Sequence, residues 1–398
     1  MHELQNLLFN ASKLGRAPQL IEGTGAASAL SKIVGRSPRR VLVVASRRTV
    51  DAVPALASLV RHGAHHYGLT RPNPSVQDAL DLSRAIAGTR PAIVLAVGGG
   101  SAIDQAKAAR LLRPDPRLVD SGLRGDASSL RPDPPLLVAV PTTAGTGAEM
   151  TPFATLYRGQ AKVSLDLPQC RPDLAVLDGE LTRTCPDRHS LAAVLDAVCH
   201  AIESGWSLAR TPSSRVYANA ARDHLATHLA RTAPLSPGNR WAEDPANSEN
   251  GRHLLLLAAA VAGIAIAQTR TTGAHAFAYH LTAAYGVPHG FACAASMSWI
   301  EAQASARRPG TVDEATRAAV ATLRQHLDGA QGARLVSLPS LNGSALEGYV
   351  DAGLAVRSRM ATHPVPIDRP EAIRHILSDG RLGGPSAANV ARKMPQNA

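Results

Sequence analysis

Four short runs of aliphatic residues, each followed by an amphipathic stretch, constrain this chain more than any other feature. They are RVLVVA at 40–45, IVLAV at 93–97, LLVAV at 136–140 and LAVL at 174–177. Past Arg40 none of them alternates polar with apolar, so each strand is expected to be covered on both faces. Amphipathic segments at 75–87 and 102–112 lie between them. Strands alternating with helices wind into a parallel sheet with crossover connections.

From about Asp187 the character changes. The chain becomes rich in Ala, Leu, Arg and His, and strand-like runs are scarce. Helices are expected at 190–207, 213–232, 253–267, 273–284, 292–304, 312–327, 346–360 and 370–378. With 398 residues, one hydrophobic core is not expected to suffice. The expectation is an α/β N-terminal domain over 1–184, with a parallel, doubly wound, Rossmann-like sheet. An all-α C-terminal domain over 185–398 follows, the boundary falling near 182–186. Loop signals cluster at 114–135 and 234–250, and 383–398 is expected to be loose.

The longest apolar run, 254–267, falls short of the roughly 20 residues a membrane span needs. Glu3 and the lack of an apolar block behind a basic start argue against a secretory signal, so the cytoplasm is expected. Net charge is +11, but there is no basic run and only 3% of residues are aromatic, which speaks against nucleic acid as a partner. The basic balance suits a solvated arginine-rich surface or anionic ligands. The four cysteines (170, 185, 199 and 293) never form a close pair, so they are read as ordinary thiols, not as a zinc knuckle or redox pair.

Gly98-Gly99-Gly100-Ser101 follows the strand that ends at Val97, and a helix carrying Asp104 and Lys107 starts after it. Glycines at such a turn let backbone N–H groups approach a phosphate at the positive helix end. Three glycines alone suit a structural turn as well; the strand–turn–helix context favours a phosphate site, although the spacing is not the GxGxxG of ordinary dinucleotide folds. A second polar turn, Pro141-Thr142-Thr143-Ala144-Gly145-Thr146-Gly147-Ala148-Glu149, ends the third strand, where the crevice of a doubly wound sheet opens. Thr146 and Glu149 also read as a helix capping box.

Asp196 and His200 are four apart in a helical stretch and so share one face. His275 opens a small-residue helix and His289 sits in a Pro-His-Gly turn. One carboxylate and three imidazoles suit a divalent ion such as Fe²⁺ or Zn²⁺. A structural ion pair and satisfied core histidines are the alternative.

The motifs GGGSAIDQAKA at 98–108, PTTAGTGAEMT at 141–151, LDAVCHAIES at 195–204 and HAFAYHLTAAYGVPHG at 275–290 together resemble those of the iron-containing (group III) alcohol dehydrogenases. The resemblance covers roughly residues 20–300 and implies an active site between a dinucleotide domain and a helical domain. It carries metal ligands onto Asp196, His200, His275 and His289. Pyrophosphate contacts fall on Gly99, Gly100 and Ser101, beside Gly98 and Asp104, and further cofactor contacts on Thr142, Thr143, Thr146 and Lys162. The implied reaction is hydride transfer between NADPH or NADH and a small alcohol or aldehyde, with the metal polarising the carbonyl.

Two positions depart from the family pattern. Many members have a histidine four residues after the third ligand. Here Tyr279 stands there, with His280 next, so either is a candidate proton donor. The first strand ends in Ser46-Arg47-Arg48, without the carboxylate that binds the adenosine ribose in NAD-preferring members. Arginines there suit a 2′-phosphate, hence NADPH. The stretch from Arg270 through Thr271 and Thr272 to His275 resembles one subgroup, phosphonoacetaldehyde reductases of phosphonate antibiotic pathways, which form 2-hydroxyethylphosphonate. Arg270 and Thr272 then serve an anionic phosphonate, unless they merely cap the helix. A homodimer is the expected assembly. A lyase like dehydroquinate synthase and a non-catalytic nucleotide-binding protein are the rival readings.

Overall fold

A computed structural model describes residues 1–35, 37–69, 72–159, 161–234 and 241–383. The expected loose stretch at 383–398 lies, past its first residue, outside the described residues, as does part of the 234–250 loop.

The chain divides into two compact units, Met1–Pro186 with Asn247–Ala267, and Asp187–Ala246 with Gln268–Ala398. In the first unit the strands are β1 (Gln19–Glu22), β2 (Val41–Ala45), β3 (His65–Gly68), β4 (Ile93–Gly98), β5 (Leu136–Pro141), β6 (Phe153–Arg158), β7 (Ala161–Asp166) and β8 (Leu174–Leu177). Six of them form a sheet in the order β1-β8-β5-β4-β2-β3, every pair parallel. Successive residues of a strand serve opposite faces. Val41, Val43 and Ala45 pack with Leu56 and Leu59, while Leu42 and Val44 pack with Leu82, Ile86 and Ile103. Burial on both sides is why these strands read as unbroken apolar runs.

From β2 the chain builds outward to β3 on one side, then returns to place β4 on the other. The carboxyl ends of β2 and β4 therefore flank a topological switch point, the place where open α/β sheets bind ligands. The helix Gly100–Leu111 leaves β4 directly from the glycine turn. β6 and β7 form an antiparallel hairpin apart from the main sheet.

Neither this hairpin nor β1 and β3 was expected from the sequence. β1 (QLIE) and β3 (HHYG) are edge strands of four residues with no fully buried position, so no apolar run announces them. In the hairpin β6 alternates buried with half-buried residues, while β7 has a single buried residue, Leu165, so neither reads as an apolar run.

Among the described residues the second unit contains no strand. Its central helix is His289–Arg307, in which every residue from Gly290 to Glu301 is buried. Asp187–Trp206, Gly273–Tyr285, Glu314–Gly332 and Arg369–Asp379 pack around it. The helix expected over 346–360 is instead Gly343–Leu354 followed by a single turn, Arg357–Met360. Glu249–Thr269 is long and apolar enough to cross a membrane, yet 78% of its apolar window is buried inside the protein. Its apolarity is that of a core helix.

Candidate metal centre and glycine loops

Three helices of the second unit bring the expected ligands together. Asp196 and His200 lie one turn apart on Asp187–Trp206, with His200 Nε2 3.7 Å from Asp196 Oδ1. His275 is in the first turn of Gly273–Tyr285, and its Nε2 is 3.3 Å from the same oxygen. His289 opens its own helix, with Nε2 3.9 Å from that oxygen. The His200 and His275 rings stack at 4.7 Å, and His275 meets His289 edge-on at 5.3 Å.

His289 reaches this point because of its neighbour. A Cβ on Gly290 would overlap the carbonyl of Ala192, so only glycine lets this helix start lie against Asp187–Trp206.

One residue that the sequence reading passed over organises the site. Glu203 is fully buried, two turns beyond Asp196 on the same helix. Its Oε1 accepts from the Thr272 N–H (3.0 Å), the Ala274 N–H (2.8 Å) and the Thr272 hydroxyl (2.8 Å). Its other oxygen accepts from His275 Nδ1. A carboxylate thus caps the positive end of the next helix from outside and fixes the His275 tautomer. His275 Nε2 is left facing Asp196, the carboxylate–histidine arrangement usual behind metal-binding imidazoles. Burial works to raise the Glu203 carboxyl, but the His275 charge and hydrogen bond, with the Thr272 hydroxyl, hold it below its ordinary value. Burial opposes ionisation of Asp196 too, and the surrounding imidazoles win there as well.

Asp196 Oδ1 and His275 Nε2 are buried and make no hydrogen bond, although they face each other. Buried polar atoms are rarely left so. A divalent cation between them satisfies both, and the donor set fits one. Cys293, one turn beyond His289, joins this cluster. Its sulfur and one donor atom each of Asp196, His275 and His289 lie within 4.8 Å of one another. Reading the cysteines only as pairs hid it; the i,i+4 spacing from His289 was the available signal.

The two candidate proton donors part company. Tyr279 stacks on His289 at 5.9 Å. His280 turns to Tyr285 (5.8 Å) and Tyr349 (6.2 Å), and burial lowers its pKa. Arg270 adopts the left-handed backbone conformation (φ 62°) just before the His275 helix. Thr272 is fully buried and is committed to Glu203 and to the indole N–H of Trp206 (3.0 Å), so it positions the carboxylate and is closed to a ligand.

In the first unit the glycine turn abuts the threonine loop. A Cβ on Gly100 would lie 2.7 Å from Thr146 Oγ1, and one on Gly99 would lie 3.3 Å from Thr143 Oγ1. Two loops at neighbouring strand ends therefore share a cradle that admits only small residues. The Thr142 N–H donates to the Gly98 carbonyl (3.0 Å), closing it. Ser101 Oγ accepts from the Asn73 N–H at 3.1 Å. The expected Thr146–Glu149 capping box is replaced by a short 3₁₀ turn, Ala148–Met150, entered through left-handed Gly147 (φ 59°), and Thr146 Oγ1 accepts from the Ala148 N–H (3.3 Å).

Asp104 points away from this cradle. It accepts from the Thr155 N–H (3.0 Å) and pairs with fully buried Lys107 (3.5 Å), whose ammonium donates to Thr151 Oγ1 and to the Phe153 carbonyl. It ties its helix to the β6–β7 hairpin. Lys162, on β7, lies near enough to favour the Asp104 carboxylate. Ser46 caps the helix after β2, accepting from the Thr49 N–H (3.1 Å), and Arg47 is exposed beside it with Asp51 at 3.1 Å.

A parallel sheet with a glycine cradle at its switch point, and a helical unit presenting a carboxylate–imidazole cluster, are the features of a metal-dependent, dinucleotide-using enzyme, and the family match makes it an oxidoreductase. The chain matches the iron-containing alcohol dehydrogenase family over residues 17–179 and the C-terminal region of the Fe-containing alcohol dehydrogenase family over 190–334. It belongs to the iron-containing alcohol dehydrogenases. Phosphonoacetaldehyde reductase of Streptomyces viridochromogenes is 35% identical over 67% of this chain and 67% of its own length. A probable alcohol dehydrogenase, EutG of Salmonella typhimurium, is 36% identical over 53% of this chain, which spans only 51% of that protein. The crystal structure of sulfoacetaldehyde reductase from Bifidobacterium kashiwanohense in complex with NAD+ shares the fold, with TM-score 0.76 and 22% identity over 92% of this chain and 97% of that one.

Proposed function

We propose that this protein is a metal-dependent, NAD(P)H-linked aldehyde reductase that converts phosphonoacetaldehyde to 2-hydroxyethylphosphonate. The 35% identity to phosphonoacetaldehyde reductase carries the choice of substrate. Arg270 supports it, since its guanidinium fork suits a phosphonate dianion and its left-handed backbone sits at the entrance to the His275 helix.

Asp196, His200, His275 and His289 hold the cation in this reading. When bound, the cation supplies Lewis acidity towards a carbonyl oxygen, and the nicotinamide supplies hydride. Glu203 keeps the Nδ1 proton of His275 in place, so that Nε2 stays a donor of electrons. In this reading the Tyr279 phenol, whose ring stacks on His289, gives the proton that completes the alcohol, with His280 as the alternative. Backbone N–H groups of Gly99, Gly100 and Ser101 receive pyrophosphate, and Thr142, Thr143 and Thr146 line the same cradle. Lys162 is a further cofactor contact.

Ser46 and Arg47 favour a 2′-phosphate over a free ribose hydroxyl. Arg47→Ala is therefore expected to raise the KM for NADPH about 10-fold, a charge-assisted hydrogen bond being worth roughly 1.5 kcal/mol. The KM for NADH is expected to stay put. Equal changes for both cofactors would remove Arg47 from 2′-phosphate recognition.

The deciding assay follows NADPH oxidation with phosphonoacetaldehyde and with an uncharged aldehyde of similar size, with Fe²⁺ or Zn²⁺ added. Phosphonoacetaldehyde is expected to be preferred in kcat/KM by on the order of 10–100-fold, the worth of one charge-assisted anchor. Equal kcat/KM values would assign the chain to general small-alcohol dehydrogenases. His275→Ala is expected to lose metal and turnover together, and full activity in metal-free protein would refute the scheme.

A further inference from the structure

We propose that Cys293 is a thiolate ligand of the cation and that the centre consequently holds Zn²⁺ in preference to Fe²⁺. The inference rests on the metal-site reading above and adds a sulfur to its candidate donors. Cys293 lies one helical turn after His289, so both side chains leave the same face. Its sulfur is 3.6 Å from His289 Nε2. Donors around a tetrahedral Zn²⁺, with Zn–N about 2.0 Å and Zn–S about 2.3 Å, sit roughly 3.3–3.7 Å apart.

A buried cysteine usually packs as a small apolar side chain. The surroundings here are of another kind. The sulfur is fully buried and shares its cluster with two imidazoles and a carboxylate. Asp196 Oδ1 and His275 Nε2, in residues only 3% and 2% exposed, are without hydrogen-bond partners in the same cluster. Those orphaned atoms point to an ion, and the sulfur stands within the same donor shell. Soft thiolate ligands favour zinc over the harder ferrous ion, whereas carboxylate and imidazole alone discriminate less.

The test uses the full-length protein loaded with Co²⁺ as a spectroscopic stand-in. The expected wild-type spectrum has visible d–d bands and a near-ultraviolet thiolate-to-cobalt charge-transfer band. Cys293→Ser is expected to keep the d–d bands and lose the charge-transfer band, while Cys199→Ser keeps both. In competition for equal Zn²⁺ and Fe²⁺, Cys293→Ser and Cys293→Ala are expected to shift metal retention towards iron by on the order of 10-fold or more.

Wild-type protein that binds cobalt with d–d bands but no charge-transfer band overturns the proposal and leaves the metal centre standing. A charge-transfer band that survives in the folded Cys293→Ala variant overturns it as well. Wild-type protein that takes up neither cobalt, zinc nor iron sinks the metal reading itself. If Cys293→Ser misfolds by circular dichroism, Cys293→Ala and the wild-type spectrum still decide.

Discussion

Glu203→Leu is expected to destabilise the protein by about 3–5 kcal/mol and to weaken metal binding by on the order of 10–100-fold. The leucine leaves three backbone N–H groups at the start of Gly273–Tyr285 without the carboxylate they donate to, along with the Thr272 hydroxyl. It also leaves His275 Nδ1 without its acceptor, so the ring loses both tautomer and orientation. Leaving a buried imidazole N–H and helix N–H groups without their acceptor costs far more than loss of a surface pair. Glu203→Gln separates the two effects. Its carbonyl oxygen can still accept from the helix N–H groups, but it brings no charge to His275. The glutamine variant is expected to remain folded and to bind metal about 10-fold more weakly. Denaturant unfolding and metal titration of all three proteins make the comparison. Wild-type metal affinity in both variants would show that Glu203 has no part in holding His275.

Gly290→Ala is the second large effect. The added methyl overlaps the Ala192 carbonyl, and since both groups are fixed by helical backbone, no side-chain rotation relieves the overlap. The helices must separate, at about 3 kcal/mol, the upper end of the ordinary cost of overpacking a core. His289 is the adjoining residue and moves with its helix, so metal affinity is expected to fall alongside stability. Gly286→Ala is the control. Gly286 ends the preceding helix at φ 66° with nothing near its Cβ direction, so alanine there strains the backbone by about 1 kcal/mol and leaves the ligands in place. Unchanged metal affinity in folded Gly290→Ala would mean that the helix start can shift without carrying His289 away.

What could be read from the sequence follows from what each signal encodes. The central strands were legible because a strand buried on both faces has no polar positions to blur it. The edge strands β1 and β3 have no such pattern, since only their backbones pair. Asp196 and His200 stood out together because they keep helical spacing, while His275 and His289 joined them only through the family resemblance; all three imidazoles come within 4 Å of Asp196 Oδ1. Glu203 was not legible, because its work is to accept hydrogen bonds from residues some 70 positions later in the chain. The structural role of Asp104 was hidden for a related reason. Adjacency to the glycine turn suggested a ligand contact, but its rotamer carries it to Lys107 and the hairpin.

The helix Glu249–Thr269 has a consequence for how this protein is made. Its residues up to Ala267 complete the first unit: Gly263 lies against Gly147, His253 against Gly179, and His253 and Arg252 pair with Glu22 (2.9 Å) and Glu180 (2.8 Å). A fragment cut at Pro186 thus has every strand of the sheet and lacks the wedge that closes its flank. On the ribosome, the first unit must wait, incompletely packed, until some eighty further residues have been translated, a delay that leaves its apolar flank uncovered.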